Sequence, residues 1–153
     1  MRAGQSGEHS IGPCADLLPA HQWSMMRAMI LGLGVDHVEV PRFQQVLDRH
    51  GERLLRRLFT ANEIAYCQSK ARAVEHFAAR FAAKEAALKA LGTGKSGGIG
   101  WRDVEITRQP GHPPQVTFHG KAKERFEALG ARRVIVSLTH TSHSAIAQVI
   151  IED

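Results

Sequence analysis

The sequence has little of several features that mark specialised protein classes. It contains two cysteines and one tyrosine among 153 residues, and Cys14 and Cys67 lack the close spacing of a zinc or redox motif. No run approaches the roughly 18 apolar residues that span a bilayer, and no apolar core of a secretory signal stands near the start. These absences favour a reduced, cytoplasmic protein that does not enter a membrane.

What the sequence does have is an ordinary globular composition with an excess of positive charge. Hydrophobic residues make up 43% and charged residues 23%, and Lys and Arg number 20 against 15 Asp and Glu. Such a surface attracts phosphates, acidic proteins or nucleic acids, although an inert basic surface is equally compatible. A nucleic-acid-binding domain is one alternative, but the single tyrosine and the lack of an aromatic platform argue against it. We expect no nucleic-acid partner.

The chain divides into a leading segment and one domain. Residues 1–28 are rich in Gly, Pro, Ser and His without periodicity, which predicts a disordered extension. Residues 29–153 suffice for one core. Met25, Met26 and Met29 precede the first apolar run, so a later translation start is a hypothesis. Detection of Met1 or Arg2 by N-terminal sequencing of the native protein would refute it.

Hydrophobic periodicity predicts an α+β domain in which an antiparallel sheet packs against a long helix. Gly32 and Gly34 lie in an apolar run that suits a buried strand approached by another backbone. Gly51 breaks one helical pattern, and Thr60 with Glu63 forms a capping box that starts another helix. The predicted helices span 42–58, 60–70, 71–91 and 121–129; the predicted strands span 29–35, 104–106, 116–118, 133–138 and 144–151, the last four as two antiparallel pairs.

Two acidic residues and several cations are the candidates for chemistry. Asp36 follows the first apolar strand, and Glu85 lies in the long helix among alanines that permit close approach. Arg80 and Lys84 are like charges one helical turn apart, which costs a few tenths of a kcal/mol unless an anion lies between them. Carboxylates that hold Mg²⁺, with cations that neutralise phosphate, suit phosphoryl transfer. The alternatives are a helix cap for Asp36 and a solvated Glu85 bridged to Lys89.

Two motifs resemble known sites less well. The loop at 92–96 contains Gly-Lys-Ser, but a P-loop requires glycine where Lys89 stands. A P-loop also follows a strand, whereas this loop follows a predicted helix. Backbone N–H groups of such a loop can still cradle a phosphate, and a helix C-cap is the alternative. His140 and His143 have the spacing of a metal pair without an obvious third ligand, so zinc binding is disfavoured.

Four segments occur in an order that identifies a family. They are GLGVDHVEVPR, FTANE, FAARFAAKEAALKALGTG and VSLTHTSHSAIAQVI. From about residue 29 to 152 the chain resembles the bacterial holo-acyl-carrier-protein synthases of the 4′-phosphopantetheinyl transferase superfamily. This resemblance implies transfer of the 4′-phosphopantetheine arm of coenzyme A to a serine of apo acyl carrier protein, in support of fatty acid biosynthesis. It also implies a homotrimer with active sites between subunits.

The resemblance assigns roles to individual residues. Asp36 and Glu85 are implied to bind Mg²⁺ and, with Lys89, to be catalytic. The residues implied to bind coenzyme A are Arg80, Lys84, Lys89, Gly92, Gly94, Ser137, Thr139 and His140. The basic helix is implied to dock the acidic carrier protein through Arg42, Arg49, Arg53, Arg56 and Arg57. A homologue that kept the fold but lost activity is the remaining alternative, and the intact Asp36, Glu85 and Lys89 argue against it.

Overall fold

A computed structural model describes residues 28–94 and 96–153. The predicted extension over 1–28 lies outside the described residues except for Ala28. Within the described ranges, no helix is long and apolar enough to cross a membrane. The elements are β1 (Ile30–Glu39), α1 (Val40–Leu58), α2 (Ala61–Gln68), α3 (Ala73–Ala90), a 3₁₀ turn (Trp101–Asp103), β2 (Val104–Thr107), β3 (Gln115–Phe118), α4 (Gly120–Ala128), β4 (Arg133–His140) and β5 (Ser144–Glu152).

The predicted α+β architecture is confirmed. An antiparallel sheet has the strand order β1-β5-β4, and β2 and β3 form a separate hairpin. The long helix α3 packs across one face of the three-stranded sheet, against β1 and β5. The predicted break at Gly51 is present, with φ 54° and ψ −142°, and the capping box of Thr60 and Glu63 starts α2.

The first strand was predicted wrongly in two respects. It continues to Glu39, because residues 36–39 pair with β5 as far as Ser144, so Asp36 lies within the strand and not at its end. The apolar run is also not wholly buried, since Leu33 and Val35 are 53% and 48% exposed. Apolar residues occupy both faces of this strand, so the sequence shows no alternation of polar and apolar side chains. The exposure of one face in a single chain was therefore not predictable from the pattern.

Gly32 and Gly34 permit the close approach that the sequence predicts. A Cβ atom at Gly34 would collide with the backbone carbonyl of Ala86, and one at Gly32 would collide with that of Ala90. The backbone of α3 therefore lies directly on β1. This contact fixes where the side chains of the last turns of α3 stand relative to β1.

The substitution Gly34→Ala should therefore lower the free energy of unfolding by about 3 kcal/mol, because overpacking forces two main chains apart. Urea unfolding followed by circular dichroism measures this change. Gly100→Ala is the matched control, since a Cβ atom there meets nothing closer than 3.7 Å. Equal stability of the two variants would show that the contact between α3 and β1 does not contribute as described.

Candidate active site

A cleft of about 680 Å³ lies between β1, α1 and α3. Its lining includes Asp36 from β1, Arg42 from α1, and Glu85 and Lys89 from α3. The sequence left open whether Asp36 and Glu85 meet, and the structure places both at this one cleft. Packing of α3 directly on the glycines of β1 produces this arrangement.

Lys89 connects the two elements across the cleft. Its Nζ lies 2.6 Å from Oδ1 of Asp36 and donates to the carbonyl oxygen of Val35 at 3.0 Å. The side chain of Lys89 is 50% exposed and that of Asp36 is 17% exposed. Lys89 thus forms a bridge between α3 and β1. Solvent and an incoming phosphate can both reach this ammonium group.

The donor atoms of the cleft suit a magnesium ion. Asp36 and Glu85 supply carboxylate oxygens, and Mg²⁺ typically binds one or two carboxylates together with water and substrate phosphates. Among the described residues, no group of three or more His, Cys, Asp and Glu could hold a metal ion, so the remaining ligands would come from water and substrate. Nζ of Lys89 lies 2.6 Å from Oδ1 of Asp36, so this carboxylate is placed where a cation can contact it.

Lys84 occupies a very different position from the one expected of a coenzyme contact. Its side chain is completely buried, and Nζ lies 2.9 Å from Oε2 of Glu63. The same Nζ donates to the carbonyl oxygens of Trp101 and Val104. Burial lowers the pKa of Lys84, and the Glu63 carboxylate opposes that shift. The charge of Lys84 is therefore balanced by Glu63, and the anion inferred from the sequence is not needed to explain Lys84.

Glu63 is a buried carboxylate with partners on several elements, whereas the sequence indicated only its role in a capping box. One carboxylate oxygen accepts from the N–H of Thr60 at 2.8 Å, and the other accepts from the N–H of Ile106 at 2.9 Å. With Lys84, this carboxylate joins α2, α3 and β2. The capping-box pattern located Glu63, but nothing local indicated its partners on distant elements.

A second polar cluster surrounds the first turns of α3. The Arg80 guanidinium lies 3.9 Å from the centre of the Tyr66 ring, and the buried Nε of Arg80 has no hydrogen-bond partner among the described residues. His140 contacts Glu75 through Nδ1 at 3.2 Å and packs edge-on against His76. Burial lowers the pKa of His76, and the neighbouring His140 and Arg80 lower it further. The predicted residues Arg80 and His140 are thus part of one cluster.

Two other predicted coenzyme residues lie on the far side of the sheet from Asp36. Asp36 pairs with Ala147, whose buried side faces α3. Ser137 pairs with Gln148 and Thr139 with Ile146, at exposed positions of the opposite face. Because side chains alternate along a strand, one copy of the chain does not bring these residues to the cleft of Asp36.

The glycine loop after α3 closes the helix. The N–H of Gly92 donates to the carbonyl of Lys89 at 3.0 Å, and that of Gly94 donates to the carbonyl of Leu88 at 3.2 Å. Both glycines have positive φ, 69° and 53°, as expected of a helix C-cap. The structure supports the capping alternative, and coenzyme binding by Gly92 and Gly94 stays a prediction.

The five arginines predicted to bind a partner are all exposed on α1. Arg42 lines the cleft itself, whereas Arg56 and Arg57 line a separate pocket at the end of the helix. The two basic residues of the last turn also complement the negative end of the helix dipole. Helix α1 thus presents positive charge from the cleft to its C-terminus.

Comparison with known proteins places the chain in a family. The model of the 4′-phosphopantetheinyl transferase superfamily matches residues 32–142. A holo-acyl-carrier-protein synthase of Koribacter versatilis is 58% identical over 125 residues, which make up 82% of this chain and 100% of the relative. The crystal structure of the holo-acyl-carrier-protein synthase from Neisseria meningitidis matches with a TM-score of 0.75 and 30% identity, covering 82% of this chain and 100% of that one.

A further solved structure matches and contains a ligand. The holo-acyl-carrier-protein synthase from Helicobacter pylori, in complex with coenzyme A, has a TM-score of 0.68 and 28% identity and covers 78% of this chain and 98% of its own. The chain therefore belongs to the 4′-phosphopantetheinyl transferase superfamily and, within it, to the holo-acyl-carrier-protein synthases. The family resemblance seen in the sequence is confirmed.

Proposed function

We propose that this chain transfers the 4′-phosphopantetheine group of coenzyme A to a serine of apo acyl carrier protein. The observation that carries this proposal is the cleft in which Asp36, Glu85 and Lys89 meet, in a chain 58% identical to a holo-acyl-carrier-protein synthase. Two carboxylates beside an accessible ammonium suit phosphoryl transfer, in which the protein mainly positions groups and neutralises charge.

In the proposed reaction, the serine oxygen forms a bond to the β-phosphorus of coenzyme A. The bond from that phosphorus to the bridging oxygen breaks, and adenosine 3′,5′-bisphosphate leaves. Lys89, half-exposed at the cleft, neutralises charge on the departing phosphate. The serine proton passes to a base, for which Glu85 and an ordered water are the two candidates. Asp36 and Glu85 would hold Mg²⁺, which when bound stabilises the charge that develops on the pyrophosphate.

The cluster around Arg80 and His140 is the proposed site for another part of coenzyme A. Arg80, Lys70 and His76 all contact the Tyr66 ring, and the buried Nε of Arg80 has no hydrogen-bond partner among the described residues. A phosphate would supply the hydrogen-bond acceptor that Nε of Arg80 lacks and the charge that balances these cations. The complex of the Helicobacter pylori relative with coenzyme A is consistent with such a ligand.

We also propose that the chain works as a homotrimer assembled through the uncovered face of its sheet. Leu33 and Val35 of β1, Ile146 of β5 and Ile135 of β4 lie on this face and are 38–53% exposed. Contiguous apolar surface on a folded chain typically marks an interface. Ser137 and Thr139 lie on the same face, so a neighbouring copy is required to bring them near a cleft.

The substitution Val35→Glu should prevent this assembly, because it places a charge where apolar side chains would pack. Sedimentation equilibrium should then give the mass of one chain for the variant and the mass of three chains for the unsubstituted protein. Gln115→Glu on the exposed side of β3 is the matched control, since it lies opposite the uncharged Thr107, and it should leave the trimer intact. A Val35→Glu protein that still sediments as a trimer would contradict the proposed interface.

Release of the nucleotide product tests the proposed activity. The chain is incubated with coenzyme A, Mg²⁺ and apo acyl carrier protein, and adenosine 3′,5′-bisphosphate is quantified by chromatography. One nucleotide per carrier is expected, and a carrier whose acceptor serine is replaced by alanine should give none. Release that is independent of the acceptor serine would identify a hydrolase instead.

The proposed activity uses coenzyme A and supports fatty acid synthesis. Both are consistent with the cytoplasmic location that we predict.

A further inference from the structure

A second basic pocket lies where α1 meets the 3₁₀ turn that precedes β2. It has a volume of about 620 Å³ and is lined by Arg56 and Arg57 from the last turn of α1 and by Arg102 from the 3₁₀ turn. Sequence reasoning placed Arg56 and Arg57 on a docking helix and gave Arg102 no role. The structure brings the three guanidinium groups to one pocket from positions 45 residues apart in the chain.

The charges of this pocket are poorly compensated. The guanidinium groups of Arg57 and Arg102 form no ion pair or hydrogen bond with any residue that the structure describes. Arg56 pairs with Glu52 at 2.9 Å, but both side chains are about three-quarters exposed, and such pairs contribute little. Among the described residues that line the pocket, Asp103 is the one carboxylate, and it accepts a hydrogen bond from the N–H of Gly100 at 2.9 Å. The pocket therefore presents a net positive charge.

Arg102 is mounted on a rigid part of the fold. The neighbouring Trp101 ring packs 5.1 Å from that of Phe81 on α3, and the carbonyl of Trp101 accepts a hydrogen bond from the buried Lys84. The 3₁₀ turn also packs against α1. Long basic side chains on a fixed backbone lose less entropy when they bind an anion than those on a mobile loop.

We propose that Arg102, together with Arg56 and Arg57, binds an acidic side chain of the carrier protein and so extends the docking surface beyond α1. This inference rests on the proposed function. A carboxylate of the carrier is favoured over a phosphate of coenzyme A because none of the predicted coenzyme residues lines this pocket. Two of the exposed arginines of α1, Arg56 and Arg57, also line this pocket. Arg102 contributes to carrier affinity and not to the chemical step.

Steady-state kinetics of Arg102→Glu with purified apo acyl carrier protein tests the proposal. The KM for carrier should rise about tenfold in Arg102→Glu and about threefold in Arg102→Gln. Charges at the rim of an interface act mainly by steering the partner into the encounter complex. The KM for coenzyme A and kcat should stay within about twofold of the unsubstituted values, since the cleft is unaltered. Added salt should reduce the difference between the variants.

Lys123→Glu is the matched control, since it makes the same charge change at an exposed position of α4 outside both pockets. Circular dichroism establishes that each variant is folded. An unchanged KM for carrier in Arg102→Glu would overturn this inference but not the proposed function. A rise in the KM for coenzyme A without a rise in the KM for carrier would do the same. Absence of transfer by the unsubstituted protein would instead overturn the proposed function, and the inference with it.

Discussion

Asp36→Ala and Glu85→Ala should each reduce the rate of phosphopantetheine transfer by at least about a thousandfold, since several kcal/mol of transition-state stabilisation depends on the cation that these carboxylates would hold. The two residues meet at the cleft from β1 and α3. Neither is a fully buried part of the core. Both variants should therefore fold, and the loss should appear in kcat at saturating coenzyme A and carrier.

A metal-binding readout separates this role from a general loss of charge. Titration of Mn²⁺, followed by its electron paramagnetic resonance signal, should show weaker binding by both variants than by the unsubstituted protein. Glu124→Ala, which removes an exposed carboxylate of α4, is the matched control and should change neither activity nor metal binding. Turnover close to normal in a folded Asp36→Ala or Glu85→Ala protein would remove that residue from the mechanism.

Lys84→Met should lower the free energy of unfolding by about 3–5 kcal/mol, because removal of one partner leaves the other charge buried without compensation. The affected carboxylate is Glu63, which has no exposed side-chain surface. The substitution also leaves the carbonyls of Trp101 and Val104 without their donor. Chemical unfolding monitored by tryptophan fluorescence measures the change.

Lys89→Met provides the comparison, since Lys89 lies on the same helix but is half-exposed. Its loss should cost at most about 1 kcal/mol of stability, while transfer should fall because the leaving phosphate loses its ammonium partner. Lys84→Met should therefore mainly lower stability, and Lys89→Met should mainly lower activity. If a folded Lys84→Met protein kept normal stability and lost its affinity for coenzyme A, the sequence-based role of Lys84 would be supported over the structural one.

Local patterns were sufficient for most of the secondary structure. The apolar spacing of α1, the glycine at its break and the capping box before α2 are determined within a few residues of sequence, so they could be predicted. The end of β1 could not. Residues 36–39 look like a polar loop in the sequence, and their strand conformation depends on pairing with β5 more than 100 residues away.

The site was accessible to sequence reasoning only in part. Residue types suggested a metal and a phosphate, but the meeting of Asp36 with Glu85 depends on the close approach of α3 to Gly32 and Gly34. The family resemblance supplied that pairing. Lys84 and Lys89 differ by only five positions and have the same chemistry, yet one is buried against Glu63 and the other faces the cleft.

Arg102 was missed for a related reason. Its neighbours Arg56 and Arg57 belong to another element, and a single arginine beside a tryptophan carries no local signal of binding. Long-range juxtaposition of like charges is visible only once the chain is folded. The same holds for Ser137 and Thr139, whose position on the uncovered face follows from strand register.

The most direct test of the central claim is intact-mass spectrometry of an apo acyl carrier protein after incubation with this chain, coenzyme A and Mg²⁺. We expect a mass gain equal to one phosphopantetheine group on the acceptor serine, and no gain when a chelator is present in excess. Absence of any gain across carriers from fatty acid and polyketide synthesis would rule out the proposed transfer and indicate a homologue that kept the fold without the activity.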